Sequence, residues 1–140
     1  MSRYRVLVAD DHPAFLERAL AILSRDYDVV AAVSDGLSAV DAAAVLLPDV
    51  VVLDISMPVL NGLDAAARLV GSAHAPRIVF LTMHEDPAFV EAARNVGASG
   101  YVLKRAMVAD LLPAISLALH GQYAFRVADG ELAHVIRHEN

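Results

Sequence analysis

Short runs of branched apolar residues alternate along the chain with longer stretches in which apolar positions recur every three or four residues. The short runs are Val6-Leu7-Val8-Ala9, Val50-Val51-Val52-Leu53, Ile78-Val79-Phe80-Leu81 and Tyr101-Val102-Leu103. They read as strands covered on both faces, because a half-exposed strand would alternate apolar with polar. Tyr27 to Val33 reads as a further strand. The longer stretches predict helices. Pro13 suits a first helical turn, and Leu16, Leu20 and Leu23 follow at helical spacing. Asp35-Gly36 turns into an Ala-rich helix that Pro48 stops near Leu47. Gly62 opens a helix that runs through Ala65 to Val70 and closes at Gly71; Ala88 to Val96 closes at Gly97. Val108, Leu112, Ile115 and Leu119 form the apolar stripe of a fifth helix. Pro113 falls inside it, where the lost backbone bond costs on the order of 3 kcal/mol, so this helix is expected to start late or bend early.

Strand and helix taking turns in this way predicts an α/β domain, a parallel sheet with crossover helices on both faces. No linker interrupts the pattern before about Gly121. Beyond it, Asp129-Gly130 marks a turn and Leu132, Val135 and Ile136 make one short amphipathic stretch. We therefore divide the chain into a domain over residues 1–120 and a linker or short helix over 121–140.

The buried strands end on polar groups. The first runs into Asp10-Asp11, the Val50 run into Asp54, the Ile78 run into Thr82 and the Tyr101 run into Lys104. In an open parallel sheet, ligands bind outside the carboxyl ends of the strands where strand order reverses, so these groups would meet in one crevice. Clustered carboxylates need a cation, and hard oxygen ligands favour Mg²⁺ or its relative Mn²⁺. Asp11 and Asp54 are the expected direct ligands, with Asp10 binding directly or through water and the Ser56 backbone carbonyl completing the protein share. A carboxylate beside a metal, a hydroxyl and a lysine suits phosphoryl transfer. Asp54 would be the nucleophile, while Lys104 and the Thr82 hydroxyl would stabilise charge on the equatorial oxygens.

The totals agree with this picture. At 140 residues and 57% hydrophobic content the chain can bury one sizeable core. A net charge of −6 argues against a bare nucleic-acid binder and suits a divalent cation, and Arg126 and Arg137 add too little charge to change that. There are no cysteines, hence no disulfide or thiol chemistry. No apolar run approaches the roughly 20 residues that span a bilayer, and a cytoplasmic location is expected. Aspartate before Pro13 could also cap a helix. Asn61-Gly62 reads as turn chemistry. His134 and His138, four apart, could share a helix face, but without further ligands they read as solvated. His12 and His84 lie beside the expected site, where they could tune access or dephosphorylation.

Taken jointly, Asp10-Asp11, Asp54 with Met57-Pro58 and Asn61-Gly62, Thr82 after an apolar strand, and Tyr101 with Lys104 resemble the receiver domain of two-component response regulators, over residues 4 to 120. The wording Val8-Ala9-Asp10-Asp11-His12-Pro13 and Gly97-Ala98-Ser99-Gly100-Tyr101-Val102-Leu103-Lys104 is most similar to the NarL/FixJ (LuxR-type) subgroup of transcription regulators. The resemblance implies a flavodoxin-like (βα)₅ three-layer sandwich with strand order 2-1-3-4-5. It implies a phosphoryl group donated to Asp54 by a sensor histidine kinase or a phosphotransfer protein, and a switch in which Thr82 moves toward that group and Tyr101 rotates inward. The face made by the fourth helix, fifth strand and fifth helix would change with it, with homodimerisation through that face as one outcome. The only chemistry implied is the domain's own phosphorylation and dephosphorylation. Arg105 stands where many receivers have proline. Proteins of this subgroup continue into a helix-turn-helix domain, whereas residues 121–140 resemble only the start of a linker. The expectation is an excised or a free-standing receiver, with DNA reached only through an output domain outside this chain.

Two other functional classes share parts of this pattern. An aspartyl-phosphate hydrolase of the haloacid-dehalogenase kind needs an Asp-x-Asp arrangement after its first strand, which Asp10-Asp11-His12 does not supply. A receiver-like interaction module acting without phosphorylation is the remaining alternative.

Overall fold

A computed structural model describes residues 3–126 and 132–136. Its elements follow in the order β1 (Arg5–Ala9), α1 (Pro13–Leu23), β2 (Asp28–Val33), α2 (Gly36–Leu46), β3 (Val50–Leu53), α3 (Gly62–Val70), β4 (Arg77–Thr82), α4 (Pro87–Val96), β5 (Gly100–Leu103), a 3-10 turn (Lys104–Ala106), α5 (Met107–Leu119), β6 (Gln122–Arg126) and β7 (Leu132–Ile136). The sheet order is β2-β1-β3-β4-β5-β6-β7. The first five strands pair parallel in the expected order 2-1-3-4-5.

The unbroken apolar runs are buried on both faces, and alternation divides them between two core layers. Leu7, Ala9, Val51, Leu53, Phe80 and Tyr101 face α2, α3 and α4. Val6, Val8, Val50, Val52, Val79, Leu81 and Val102 face α1 and α5. Each crossover helix therefore has an apolar surface waiting for it, and the five parallel strands β1–β5 all end, and expose polar groups, at the same rim of the sheet.

Helix termini follow local chemistry. Asp35 accepts from the Ser38 backbone N–H at 2.7 Å and from its hydroxyl at 2.8 Å, capping α2. These bonds, the backbone one foremost, hold the Asp35 carboxyl below its ordinary value of 3.8. Asn61 caps α3 through the Asp64 N–H at 2.9 Å, and Asp86 caps α4 through the Ala88 N–H at 2.8 Å. Gly97, at φ 100°, ends α4 in the left-handed conformation that glycine adopts without a Cβ penalty.

Three expectations are corrected. First, the apolar stripe of α5 is displaced by one residue: Val108 is 74% exposed, while Met107, Leu111, Ala114, Ile115 and Ala118 are buried. Small alanines complete the buried face, and a search for large side chains passes over them. Second, α5 runs from Met107 straight through Pro113. Pro113 and Ala109, whose carbonyl loses its helical donor, are both exposed, so water can satisfy that oxygen. Third, the sheet does not stop at five strands: among the described residues of 121–140, the strands Gln122–Arg126 and Leu132–Ile136 stand where a linker or short helix is expected. Gly121, at φ 76°, turns the chain out of α5, and β6 pairs parallel with β5 while β7 pairs antiparallel with β6. Phe125 of β6 enters one core layer and Ala124 the other, a period-two pattern that strand geometry satisfies and a helix does not. His134 falls on β7, where four-residue spacing has no helical meaning. His138 and the Asp129-Gly130 turn lie outside the described residues.

Candidate functional site

The sheet order reverses at β1, which lies between β2 and β3, so the C-terminal ends of β1 and β3 open the crevice where this architecture binds ligands. Backbone bonds set the two strand tips side by side: the Asp10 N–H donates to Val33 O at 3.0 Å and the Asp54 N–H to Ala9 O at 3.0 Å. Asp10 and Asp54 are each 3% exposed and Lys104 is 1% exposed. Lys104 Nζ donates to Asp54 Oδ2 at 2.9 Å and lies 2.8 Å from Asp10 Oδ2. A buried ammonium is costly unless paired, and these two carboxylates pair it. The ammonium also lies over the Phe15 ring, with Nζ 4.5 Å from its centroid.

The remaining carboxylate oxygens define the chemistry the site can take up. Asp54 Oδ1 accepts from the Ile55 N–H at 2.7 Å, and Asp10 Oδ1 from the His12 N–H at 2.9 Å. Asp10 Oδ2 is buried without a hydrogen bond, because its ion pair with Lys104 lacks hydrogen-bond geometry. Asp11 is the accessible member of the group. One ligand atom each from Asp10, Asp11, His12 and Asp54 lies within 4.8 Å of the others. Three carboxylates against one ammonium leave a surplus of negative charge, and one buried carboxylate oxygen is ion-paired but accepts no hydrogen bond. A small divalent cation bound by oxygen would answer both. His12 belongs to this cluster more closely than the sequence suggested, with Nδ1 3.2 Å from Asp10, 3.2 Å from Asp11 and 3.3 Å from Lys104 Nζ.

Ser56 lies beside the carboxylates on the exposed loop after β3 and, with Asp11, Met57 and Phe89, lines a depression of about 550 Å³. Gly62 closes that loop. Its N–H donates to Ile55 O at 2.7 Å, and a Cβ there would stand 1.9 Å from Asp54 O. Asn61-Gly62 therefore does more than turn the chain: only glycine lets α3 start against the backbone of Asp54. Between them, Pro58 O accepts from the Leu60 N–H at 2.7 Å across Val59 at φ 70°, a γ-turn that is strained for a β-branched residue.

Thr82 and Tyr101 are both fully buried. Thr82 Oγ1 accepts from the His84 N–H at 3.3 Å, and the Tyr101 hydroxyl donates to the His84 carbonyl at 2.7 Å. Burial first, then the negative charges of Asp54 and Asp86, push the Tyr101 phenol well above its ordinary 10.0. The His84 imidazole shares a hydrogen bond with Ser56 Oγ at 2.7 Å and stacks on Phe89 at 4.1 Å between centroids. His84 thus joins Thr82, Tyr101, the loop after β3 and α4 through three different groups. Its position two residues past Thr82 was the only sequence signal, and the backbone share of these contacts is independent of residue type. Arg105 makes a bidentate pair with Glu85, at 3.1 and 2.9 Å, linking the loop after β5 to the loop after β4. The pair raises the Arg105 guanidinium above its ordinary value.

Asp10, Asp11, Asp54, Thr82 and Lys104 thus stand at one rim of the sheet. Asp10, Asp11, Asp54 and Lys104 form one cluster, and Thr82 and Tyr101 meet through His84. Among the described residues, no helix is long and apolar enough to cross a membrane.

Comparison with known proteins agrees with the geometry. The family model of the response regulator receiver domain matches residues 6–116. The transcriptional regulatory protein PdtaR of Mycobacterium tuberculosis is 38% identical over 131 residues, covering 92% of this chain and 63% of that protein. DegU of Brevibacillus brevis, also a transcriptional regulatory protein, is 32% identical over 122 residues, covering 86% of this chain and 52% of that protein. The chain thus spans less than two thirds of these curated relatives. Among solved structures, the signal receiver domain of the putative response regulator NarL from Mycobacterium tuberculosis superposes with a TM-score of 0.82 at 32% identity, covering 86% of this chain and 99% of that one. The isolated receiver domain of RcsB from Salmonella enterica serovar Typhimurium, studied with the phosphomimetic beryllofluoride, gives 0.82 at 25% identity, covering 91% and 96%. Converging carboxylates, a buried lysine and a match across most of the chain make this protein a member of the response-regulator receiver domain family of two-component signalling.

Proposed function

We propose that Asp54 accepts a phosphoryl group from a sensor histidine kinase or a phosphotransfer protein in the cytoplasm, and that the resulting change at Thr82 and Tyr101 controls an output, transcription. The observation that carries this reading is the buried Lys104 ammonium, 2.9 Å from Asp54 and 2.8 Å from Asp10 across strands that are far apart in sequence. A carboxylate oxygen of Asp54 attacks phosphorus as the bond to the donor nitrogen or oxygen breaks, and the leaving group takes up a proton. Lys104 stands ready to pair with the phosphoryl dianion, and the Thr82 hydroxyl, which accepts from the His84 N–H, has its own O–H to donate to it. Asp10, Asp11 and Asp54, with the Ser56 carbonyl, would hold Mg²⁺ or Mn²⁺, which supplies neutralisation of the phosphoryl oxygens when bound. The protein would act on no separate substrate beyond its own phosphorylation and dephosphorylation. DNA would be reached only through an output domain beyond these residues, and homodimerisation through the α4-β5-α5 face would be a consequence of the switch.

Mass measurement after incubation with Mg²⁺ and a small phosphodonor tests this. Wild type should gain a phosphoryl adduct and Asp54→Asn should not; an undiminished adduct on the variant, or none on wild type, would defeat it. A second reading, a module that signals without phosphate, draws support from Tyr101, which already points inward with Asp54 unmodified. Equal behaviour of wild type and Asp54→Asn in the cell would favour it.

A further inference from the structure

The β5 edge, which a five-stranded receiver would leave open, is occupied by β6 of this same chain. Gly100 pairs with Ala124 and Tyr101 with Phe125, and the Ala124 N–H donates to Ser99 O at 2.8 Å. Small residues permit the approach: Ala124 is fully buried against the α5 side of the sheet, and a Cβ on Gly100 would stand 3.3 Å from the Ala124 carbonyl. On the opposite face Phe125, 4% exposed, stacks on the switch residue Tyr101, with centroids 6.1 Å apart and planes inclined by 16°. The Arg94 guanidinium of α4 lies over the Phe125 ring at 4.8 Å from its centroid. Tyr101 is thereby held between Phe80 and Phe125, with its hydroxyl tied to the His84 carbonyl.

We propose that Phe125 is a positioning residue for the Tyr101 switch, so that docking of β6 along β5 and the inward setting of the Tyr101 ring stabilise each other. A Tyr101 ring that leaves this position gives up its stack on Phe125 and uncovers the inner side of β6. Conversely, a β6 strand that peels away removes one wall of the Tyr101 site. The residues that follow α5 are then the first to register the state of the switch, before any second molecule is engaged. The extension from Tyr101 to phosphorylation rests on the phosphoacceptor reading of Asp54; the coupling of Tyr101 to β6 does not. By linkage, whatever factor the phosphorylated state adds to β6 docking, β6 docking must add to the affinity for a phosphoryl mimic.

Amide hydrogen exchange on the full chain, read by NMR, tests the first half. Tyr101→Leu should speed exchange of the Ala124 amide relative to that of Val51 in the central strand by about 2-fold to 10-fold, the range an aromatic pair contributes. Tyr101→Phe, which keeps the ring and loses the bond to His84, should change it little. Equal Ala124 protection in wild type and Tyr101→Leu overturns the proposal. For the second half, beryllofluoride with Mg²⁺ should slow Ala124 exchange in wild type, and Phe125→Leu, which keeps apolar burial without the stack, should bind beryllofluoride more weakly by a matching factor. Unchanged affinity in Phe125→Leu overturns the link to signalling. If wild type binds no beryllofluoride at all, the phosphoacceptor reading is what has failed, and the exchange comparison between the Tyr101 variants alone decides the positioning role.

Discussion

Replacing Gly62 by alanine adds a single methyl group where the backbone has left no room. The new Cβ would stand 1.9 Å from Asp54 O and 2.8 Å from Asp54 C and Ile55 Cα, all of them backbone atoms that cannot swing aside. Either α3 shifts and the 2.7 Å bond from the Gly62 N–H to Ile55 O breaks, or the end of β3 moves. A lost hydrogen bond costs about 1 kcal/mol and forced repacking about 1–3 kcal/mol, offset by up to about 1 kcal/mol from the better helix propensity of alanine. The net is a destabilisation of roughly 1–3 kcal/mol. With a urea slope of about 2 kcal/mol per molar, the unfolding midpoint should fall by roughly 0.5–1.5 M. Gly71→Ala is the matched control, since its Cβ would meet nothing closer than 3.5 Å at an ordinary negative φ. It should leave the midpoint within the scatter of surface substitutions, about 0.5 kcal/mol. Coincident urea curves for Gly62→Ala and wild type would refute the claim that α3 is seated against the Asp54 backbone.

Other substitutions test separate parts of the site. Lys104→Met leaves Asp10 and Asp54 buried without their cation and should cost about 3 kcal/mol or more in urea unfolding without divalent ions, with Mg²⁺ restoring more stability to the variant than it adds to wild type. The Tyr101 phenol keeps its proton in the fold at pH values where the unfolded chain has lost it. Its contribution is therefore full below 10.0 and lost as pH rises toward its folded value, so Tyr101→Phe should flatten the alkaline fall of stability, with phenolate absorbance losing one late-titrating tyrosine while the raised Tyr27 remains. Asp35 has the opposite sign: its carboxyl is held below 3.8, so the stability gap between wild type and Asp35→Ala should be constant above that pH and close as pH falls through the folded value. Thermal unfolding followed by circular dichroism across acid pH reads that gap.

Much of the fold was visible in the sequence because each buried strand is a run of branched residues ending on a polar one, and Gly97, Pro48 and Gly71 mark helix ends. The residues of the site were legible for the same reason: in a parallel sheet, being last in a strand fixes the rim on which a side chain emerges. What escaped were features set by contacts between distant segments. The phase of α5 depends on Ala114 and Ala118, whose small side chains carry little periodic signal. Gly62 looks like a turn residue in sequence, and only the approach of α3 to Asp54 reveals its steric role. The Gln122–Arg126 strand is short and offers one clear alternation, Tyr123 and Phe125 against Ala124, and its partner Tyr101 lies across α5. The part played by His84 runs largely through its backbone, which no residue type announces.

Reductive trapping of the phosphorylated protein bears most directly on the central claim, that Asp10, Asp11, Asp54 and Lys104 converge so that one carboxylate can be phosphorylated. Borohydride cleaves an aspartyl phosphate and converts the residue to homoserine, and peptide mass spectrometry then identifies the position. After incubation with Mg²⁺ and a small phosphodonor, conversion is expected at Asp54 alone and should vanish when the divalent ion is chelated. Homoserine at another aspartate, or none at any, would contradict the claim.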